Sequence, residues 1–140
     1  MNGQFLGYSR PDGRVGIRNY VLVLPVQRQV NMLAHMIHDA VPDTRVFICS
    51  GELGRPHHDR LVLYRSLVGM GLNPNAASVL VVGNRRDAGY DELKAERIIR
   101  ELEASGKRVE VLMLTESEGF YNSLGKGIRM ARDMVIQSRK

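Results

Sequence analysis

The sequence has one cysteine, no tryptophan and few other aromatic residues, and each scarcity excludes a class of site. Cys49 is the single cysteine among 140 residues, so the chain can form neither an internal disulfide nor a metal site made of cysteines alone. Three phenylalanines and five tyrosines show no pattern like the aromatic motifs on which RNA-binding sheets stack bases. Because Cys49 ends an apolar segment, we expect a buried thiol without a chemical role.

Long apolar runs are also missing. No stretch approaches the roughly 18 consecutive apolar residues that cross a bilayer, and the first residues lack the basic and then apolar layout of a secretory signal. We therefore expect a cytoplasmic protein without a membrane-spanning segment. A chain of this length, 44% hydrophobic and 25% charged, can form a single domain over residues 1–140 with one core.

Basic residues outnumber acidic ones, with 20 lysines and arginines against 15 aspartates and glutamates and a formal net charge of +5. This balance favours anionic partners such as carboxylates, phosphates or nucleic acid. The basic residues are scattered, however, and their densest group is only Arg85 and Arg86. Nucleic acid is therefore the less favoured of these partners, and small carboxylates and phosphates both stay open.

Four short apolar segments indicate β-strands at residues 19–26, 45–50, 78–83 and 108–115. Their nearly continuous hydrophobicity is typical of parallel strands that are covered on both faces. Four helical stripes alternate with them: Val30, Leu33, Ile37, Val41; Leu61, Tyr64, Val68, Leu72; Ala95, Ile98, Ile99, Leu102; and Leu124, Ile128, Ala131, Val135. The alternation predicts a Rossmann-like three-layer α/β domain over residues 19–140, with a four-stranded parallel sheet of order 2-1-3-4 and helices on both faces. Residues 1–18 are expected to form an irregular lead-in.

Ligands of open α/β sheets bind beyond the carboxyl ends of the strands. The loops that meet this description are residues 25–29, 50–59, 83–87 and 116–123. The second loop, "SGELGRPHHDR", is the richest in chemistry, with Glu52, Arg55, His57, His58 and Asp59. Adjacent histidines of an extended segment point apart, so a metal site is less favoured than a polar loop. "GELG" also lacks the glycine spacing of a dinucleotide-binding loop.

Helix starts and exposed faces can be placed in the same way. We expect His58 or Asp59 to cap the second helix and Asn122 or Ser123 to cap the fourth. The stretch "DELKAERIIRELE" at residues 91–103 is expected to present a solvated polar face.

Three arginines recur every fourth residue in the lead-in, at Arg10, Arg14 and Arg18. Asp12-Gly13 between them is a turn signal. Two of these guanidinium groups could hold a substrate carboxylate with paired N–H donors. Alternatively, they could tie the lead-in to acidic groups of the domain itself. The residues alone leave both interpretations open.

The run "GYSRPDGRVGIRNYVLVLP" at residues 7–25 resembles the signature that opens the central domain of the altronate/galactarate dehydratase family, which includes the large subunit of sulfolactate sulfo-lyase. "NPNAASVLVVG" at residues 73–83 and "SLGKGIRMARDMV" at residues 123–135 resemble further segments of that domain. The resemblance implies a lyase that removes water or sulfite from a sugar acid or hydroxy acid. It also implies dependence on iron(II) or another divalent metal, and arginines that hold the acid group.

This sequence departs from the family where the resemblance would place metal ligands. Gln29, Ser50, Gly54 and Arg86 stand where the family has Cys, His, Cys and Cys, and Glu118-Gly119-Phe120 replaces a Gly-Gly-Thr. We therefore expect no metal site of the family type. The residues expected to bind the acid group are Arg14, Arg18, Asn19, Glu52, Arg55 and Arg86.

The resemblance further implies a missing part, because full family enzymes carry another large domain after this one and often a small domain before it. Three interpretations stay open: a subunit that works with a partner chain carrying the remaining family domain, a naturally short homologue, or a fragment of a longer chain. The favoured function is a domain or subunit of a sugar-acid dehydratase that is not catalytic by itself. The alternative is a catalytically silent module that binds a small acid and has a regulatory or scaffolding role.

Overall fold

The computed structural model of the chain describes residues 3–51, 54–84, 89–115 and 117–140. In chain order the elements are β1 (Tyr8–Ser9), β2 (Val15–Gly16), β3 (Tyr20–Pro25), a 3-10 helix (Arg28–Val30), α1 (Asn31–Ala40), β4 (Thr44–Val46), α2 (His57–Gly71), β5 (Ala76–Gly83), a second 3-10 helix (Asp91–Leu93), α3 (Ala95–Ala104), β6 (Arg108–Met113) and α4 (Gly119–Ser138). No helix among the described residues is long and apolar enough to cross a bilayer.

Strands β3 to β6 form one parallel sheet in the order β4-β3-β5-β6. Counted along the chain, this is the predicted order 2-1-3-4, and it confirms the three-layer α/β fold. In the central strand β3, residues 21–24 are at most 2% exposed, because both of their neighbours are strands and both faces are covered. This continuous burial explains why apolar residues run through the strand without alternating with polar ones.

The helices lie in pairs on the two faces of the sheet. Val21 and Val23 of β3 pack in one core with α1 and α4, and Leu22 and Leu24 pack in the other core with α2 and α3. Successive side chains of a strand point to opposite faces, so one short strand contributes to both cores. Since both faces are covered, a ligand of this domain has to approach the sheet at its edges.

Strand β4 is shorter than predicted, because it ends at Val46 rather than at residue 50. The chain then leaves the sheet, and the side chain of Asn31 at the start of α1 holds the backbone of Cys49. Its Nδ2 donates to the Cys49 carbonyl at 2.7 Å, and its Oδ1 accepts from the Cys49 N–H at 3.0 Å. These bonds satisfy backbone groups that a longer strand would have paired. Cys49 is 2% exposed, which confirms the buried thiol.

The predicted helix caps were wrong. Helix α2 begins at His57, directly after the extended Pro56, and Asp59 lies inside its first turn. Helix α4 begins at Gly119. Thr115 accepts two hydrogen bonds at this start: its Oγ1 accepts the N–H of Glu118 at 3.3 Å, and its carbonyl accepts the N–H of Gly119 at 3.0 Å.

The apolar stripe of α2 was also only partly right. Tyr64 and Val68 are buried as predicted, and Leu63 and Leu67 are buried beside them, whereas Leu61 is only half-buried. The buried face is rotated because α2 packs against α3 as well as against the sheet.

The lead-in is more regular than predicted. Strands β1 and β2 form an antiparallel hairpin, with Tyr8 opposite Gly16 and Ser9 opposite Val15. Gly13 turns the chain with a φ of +82°, and its N–H donates to the Arg10 carbonyl at 2.9 Å, as expected of the Asp12-Gly13 turn. The hairpin lies against the loop that leads into β5, where an ideal Cβ on Gly16 would be 2.1 Å from the Pro74 carbonyl oxygen.

Candidate functional site

The four strands of the sheet are parallel, so the loops that follow β3, β4, β5 and β6 all lie at one edge of the sheet, which we call the carboxyl edge. The helices follow these loops, and their N-termini therefore lie at the same edge. The opposite edge, where the strands begin, is called the amino edge. Polar residues at the carboxyl edge are the first place to look for a site.

A cluster of polar side chains lies at this edge, where the first turn of α2 meets the 3-10 helix Asp91–Leu93. It consists of His57, Arg60, Tyr90 and Glu92, and we call it the His57–Glu92 cluster. The Nδ1 atom of His57 is hydrogen-bonded to Oε1 of Glu92. Arg60 donates to the same oxygen from Nη2 at 3.0 Å and from Nε at 3.3 Å. Thirty-five residues of sequence separate the imidazole from its carboxylate partner.

The members of the cluster differ greatly in exposure. The side chain of Glu92 is 11% exposed and that of Arg60 16%, whereas the His57 side chain is 67% exposed. The guanidinium carbon of Arg60 lies 3.9 Å from the centroid of the Tyr90 ring, a cation–π distance. The ion pair is therefore held inside the loops, and the imidazole is presented to solvent.

The environment of Glu92 favours its ionised form. Its own backbone N–H, then the Arg60 side chain, and to a smaller extent His57 lower the pKa of this carboxyl from 4.5 to about 2. A carboxylate that accepts a hydrogen bond from one imidazole nitrogen fixes the orientation and the tautomer of the ring. The arrangement can therefore support proton transfer at the other ring nitrogen.

Arg55 is the one predicted acid-binding residue that the described structure places beside this cluster. Its Nε donates to the Gly51 carbonyl at 2.6 Å, and its Nη2 donates to Ser50 Oγ at 3.1 Å. Its own carbonyl accepts a hydrogen bond from Arg60 Nη1 at 2.7 Å. Arg60 therefore joins the loop that carries Arg55 to the ion pair with Glu92. Two further predicted residues, Glu52 and Arg86, lie outside the described residues.

The other three predicted residues, Arg14, Arg18 and Asn19, lie at the amino edge. Arg14 pairs with Asp12 at 2.6 Å and donates to the Leu72 carbonyl at 2.6 Å. The lead-in ends where β3 begins, and β3 begins beside the turn that precedes β5. A strand of eight residues such as β5 separates the two edges by about 25 Å. The structure therefore does not bring these residues together with Arg55 around one small anion.

The lead-in arginines contact the chain itself, which agrees with the second interpretation of their spacing. Their partners are mostly backbone carbonyls rather than the expected acidic groups. Arg10 donates to the Pro74 carbonyl at 2.6 Å and to the Arg18 carbonyl at 2.9 Å, and the backbone N–H of Arg18 donates to Asn75 Oδ1 at 3.1 Å. Carbonyls at and beyond the C-terminus of a helix carry partial negative charge, so the turn after α2 attracts cationic side chains. Acid binding by Arg14 and Arg18 stays a prediction.

Lys107 completes this arrangement, and no sequence pattern indicated it. The residue is 6% exposed, and its Nζ donates to the Asn73 carbonyl at 2.7 Å. Burial, and then the nearby charges of Arg10 and Arg14, lower the pKa of its ammonium group from 10.5 to about 8. From the sequence, a lysine just before a strand is expected to lie at the surface. Lys107 is buried because the hairpin packs over it.

Asn19 joins the start of β3 to the end of α4. Its Nδ2 donates to the Ser138 carbonyl at 2.6 Å. Its Oδ1 and the hydroxyl of Ser78 are buried atoms that have no hydrogen-bond partner within the part of the chain the structure describes. Both residues line a groove of about 600 Å³ between the lead-in and α4. This groove is at the amino edge, away from the His57–Glu92 cluster.

Within the described part of the carboxyl edge, the donor groups do not fit the divalent metal that the resemblance implies. Gln29, Ser50 and Gly54 occupy the expected ligand positions and are exposed. Over residues 3–51, 54–84, 89–115 and 117–140, no three histidine, cysteine, aspartate or glutamate side chains converge as a metal site requires. His57 and Glu92 are only two such groups, and they are bonded to each other. No chemical step is therefore derived through a metal.

The site residues that sequence reasoning missed are Arg60, Tyr90 and Glu92. Glu92 is the second residue of the stretch 91–103, which was expected to present a solvated polar face. The helix instead starts at Ala95, and Glu92 belongs to the separate 3-10 turn before it. The acid-rich pattern of that stretch gave no signal that one glutamate turns inward toward α2.

The fold is a three-layer α/β domain, a class that binds ligands beyond the carboxyl ends of its strands. The polar residues at the carboxyl edge agree with this class. The family model described as D-galactarate dehydratase/altronate hydrolase, second domain, matches residues 7–139. The chain therefore belongs to this family, as the resemblance of its motifs implied.

One curated relative is similar to the chain over nearly its whole length. The chain is 35% identical over 139 residues to the (2R)-sulfolactate sulfo-lyase subunit beta of Chromohalobacter salexigens, and the match covers 94% of this chain and 32% of that protein. The chain thus spans about a third of the length of this relative. No solved structure matches the chain.

Proposed function

We propose that this chain is a domain or subunit of a lyase that removes water, or a comparable leaving group, from a sugar acid or hydroxy acid, and that it is not catalytic alone. The match of the family's second domain to residues 7–139 carries the proposal. The curated relative supports it, because that protein is the beta subunit of a sulfo-lyase and this chain corresponds to about a third of it. The remainder of the site would come from another domain or from a partner chain.

The carboxyl edge supports the same proposal chemically. Arg55 places a guanidinium group there, and guanidinium binds carboxylates through paired N–H donors. In this function Arg55 binds the acid group of the substrate. Glu52 and Arg86, which the sequence predicted to bind the acid group, are proposed to assist Arg55. A lyase of this kind removes a proton from the carbon next to the acid group, so it also needs a proton acceptor within reach.

The second candidate is a catalytically silent module that binds a small acid. Its support is the set of donors at the carboxyl edge, where Gln29 and Ser50 stand in place of the family's cysteine and histidine. Such a module retains Arg55 for the acid and needs no proton transfer.

A direct test combines an activity assay with a binding assay. The chain is assayed alone and together with the products of its neighbouring genes, against galactarate, altronate and (2R)-sulfolactate, with release of keto acid or sulfite as the signal. We expect turnover only when a neighbouring product supplies the missing domain. Acid binding without turnover in every combination would instead support the silent module.

Arg55→Gln tests where the acid binds. We expect this variant to weaken acid binding by about tenfold or more, since a charge-assisted hydrogen-bond pair contributes roughly 1.5–3 kcal/mol. Arg65→Gln removes the same charge from the exposed face of α2 and is the matched control. Equal binding by Arg55→Gln and the control would show that the acid binds elsewhere.

A further inference from the structure

We propose that His57 transfers the proton in this reaction and that Glu92 and Arg60 hold its ring in the reactive orientation. The inference rests on the lyase function proposed above, and it assigns the proton acceptor that this function requires. His57 is the residue that would touch the substrate. Glu92 and Arg60 are positioning residues that act through it.

The pair of His57 and Glu92 differs from an ordinary surface pair of the same kind. His35 and Asp39 on α1 are also a histidine and a carboxylate, but their side chains are 54% and 67% exposed and their closest atoms are 3.6 Å apart. In the His57 pair the carboxylate is nearly buried and only the imidazole is exposed. A loose surface contact does not need a buried anchor, whereas an oriented proton acceptor does.

Glu92 is held in its position by its neighbours. Two nitrogens of Arg60 donate to the oxygen that contacts His57. Arg60 is itself fixed by the ring of Tyr90 and by the carbonyl of Arg55. The carboxylate of Glu92 is hydrogen-bonded to Arg60, and Arg60 is hydrogen-bonded to the loop that carries Arg55. The orientation of the His57 ring is therefore determined by groups from two separate segments of the chain.

The side chains of the cluster differ in their capacity to accept a proton from a substrate. The pKa of Glu92 lies at about 2, so its carboxylate is a weak base. Guanidinium groups in general are hydrogen-bond donors only and cannot serve as the base. Imidazole is the side chain whose protonation changes most readily in the physiological range. The cluster therefore assigns the base to His57 and the binding of the acid group to Arg55, which lies two residues before the start of α2.

The proton transfer can be written without any further reactant. Nε2 of His57 takes the proton from the carbon next to the acid group, and the electron pair of that C–H bond forms the new C=C bond. The C–O bond to the neighbouring carbon breaks, and its electron pair leaves with the oxygen. The hydroxide takes the same proton back from the imidazolium and departs as water, so His57 returns to its neutral form.

One test needs no substrate. If Nδ1 donates to Glu92, neutral His57 carries its proton on Nδ1 and leaves Nε2 free, the reverse of the usual preference of exposed histidines. Two-bond proton–nitrogen correlations of the labelled full-length chain report this tautomer for each ring. We expect His57 to show the proton on Nδ1, and we expect the exposed neighbour His58 to show it on Nε2. In Glu92→Ala, His57 should become like His58. The same tautomer at both residues in the unaltered chain would overturn the inference.

The second test uses the active assembly with its partner chain. We expect His57→Gln to lower kcat by about 100-fold or more, the usual effect of losing a general base, with little change in KM. His58→Gln, the matched control one residue away, should leave both constants unchanged. Glu92→Gln should lower kcat by a smaller factor, again with little change in KM, because the ring is oriented less firmly.

The outcomes separate this inference from the function on which it rests. Full turnover by His57→Gln would overturn the role of His57 and leave the lyase function standing. An unaltered assembly that releases neither keto acid nor sulfite from any acid would overturn the lyase function, and the role of His57 with it. An equal loss of kcat in His57→Gln and His58→Gln would indicate damage to the loop rather than loss of a base.

Discussion

Gly16 allows the lead-in to pack closely against the turn before β5, because glycine has no side chain. The hairpin lies so close to the turn before β5 that an ideal Cβ at this position would be 2.1 Å from the carbonyl oxygen of Pro74. The conflict is with backbone, which cannot rotate away as a side chain can. Gly16 belongs to the motif that resembles the family signature, and its role in this structure is to allow close packing at the amino edge.

We expect Gly16→Ala to destabilise the protein by about 1–3 kcal/mol, the usual cost of overpacking a close contact. Urea unfolding measures this change. Gly69→Ala is the control, because an ideal Cβ at Gly69 in α2 meets nothing within 4 Å. A helix interior gains about 0.5–1 kcal/mol from alanine in place of glycine, so this variant should be slightly more stable. A Gly16→Ala protein as stable as Gly69→Ala would contradict the close contact.

Lys107 is the residue whose charge should make stability depend on pH. The pKa of its ammonium group is lowered to about 8 in the folded protein from 10.5, so between these values the unfolded chain binds more protons than the folded one. Stability therefore rises with pH across this window as the cost of the buried charge is relieved. Below about pH 8 both states are protonated and this contribution stays constant.

The comparison of the unaltered chain with Lys107→Met isolates this contribution. Between pH 8 and 10 we expect the free energy of unfolding of the unaltered chain to rise relative to that of the variant, by at most about 1.4 kcal/mol per pH unit, the limit for one proton. Denaturant titrations at several pH values measure the difference. Parallel pH profiles would mean that the buried ammonium keeps its ordinary pKa.

At the scale of elements, the hairpin is held to the α/β layers through the turn after α2. Arg10, Arg14 and Lys107 donate to the carbonyls of consecutive residues 72–74 in that turn. The hairpin itself has only two residues in each strand, too few for independent stability. Its order therefore depends on these charged hydrogen bonds.

We expect Arg10→Met to loosen the hairpin while the sheet stays folded. The variant loses charged hydrogen bonds to two carbonyls, each worth roughly 1.5–3 kcal/mol. Hydrogen exchange should become faster at the amides of Arg10 and Gly13, which are bonded within the turn, and stay slow in β3 and β5. Arg100→Met on the exposed face of α3 is the control. Unchanged exchange in the turn would show that the hairpin does not depend on Arg10.

At the scale of the whole molecule, the parallel topology divides the polar residues between two edges. The lead-in ends at the start of β3, so its arginines lie at the amino edge. There, Arg10 and Arg14 bind backbone carbonyls of the turn after α2. The loops after β4 and β5 place Arg55 and the His57–Glu92 cluster at the carboxyl edge. The family signature and the candidate chemistry are therefore at opposite ends of the sheet. The tests of Arg55 and His57 address the carboxyl edge only.

The sequence by itself determined the fold. The apolar residues 21–24 and the stripe that includes Leu33 and Ile37 specify a buried strand and a helix face through local periodicity, and strand–helix alternation then specifies the parallel sheet. The motifs of residues 7–25 indicated the family in the same way. Each of these signals is contained in a short stretch of chain, so no knowledge of distant contacts is needed to interpret it.

The tertiary structure alone decided which polar residues meet. Arg14 and Arg55 both looked suited to bind an acid, yet one bonds to the Leu72 carbonyl at the amino edge and the other lies beside Arg60 at the carboxyl edge. No sequence pattern linked His57 to Glu92, because their contact depends on how the segment after β5 folds against the first turn of α2. Polar contacts between distant segments are set by the path of the chain through space, and local sequence patterns carry no record of that path.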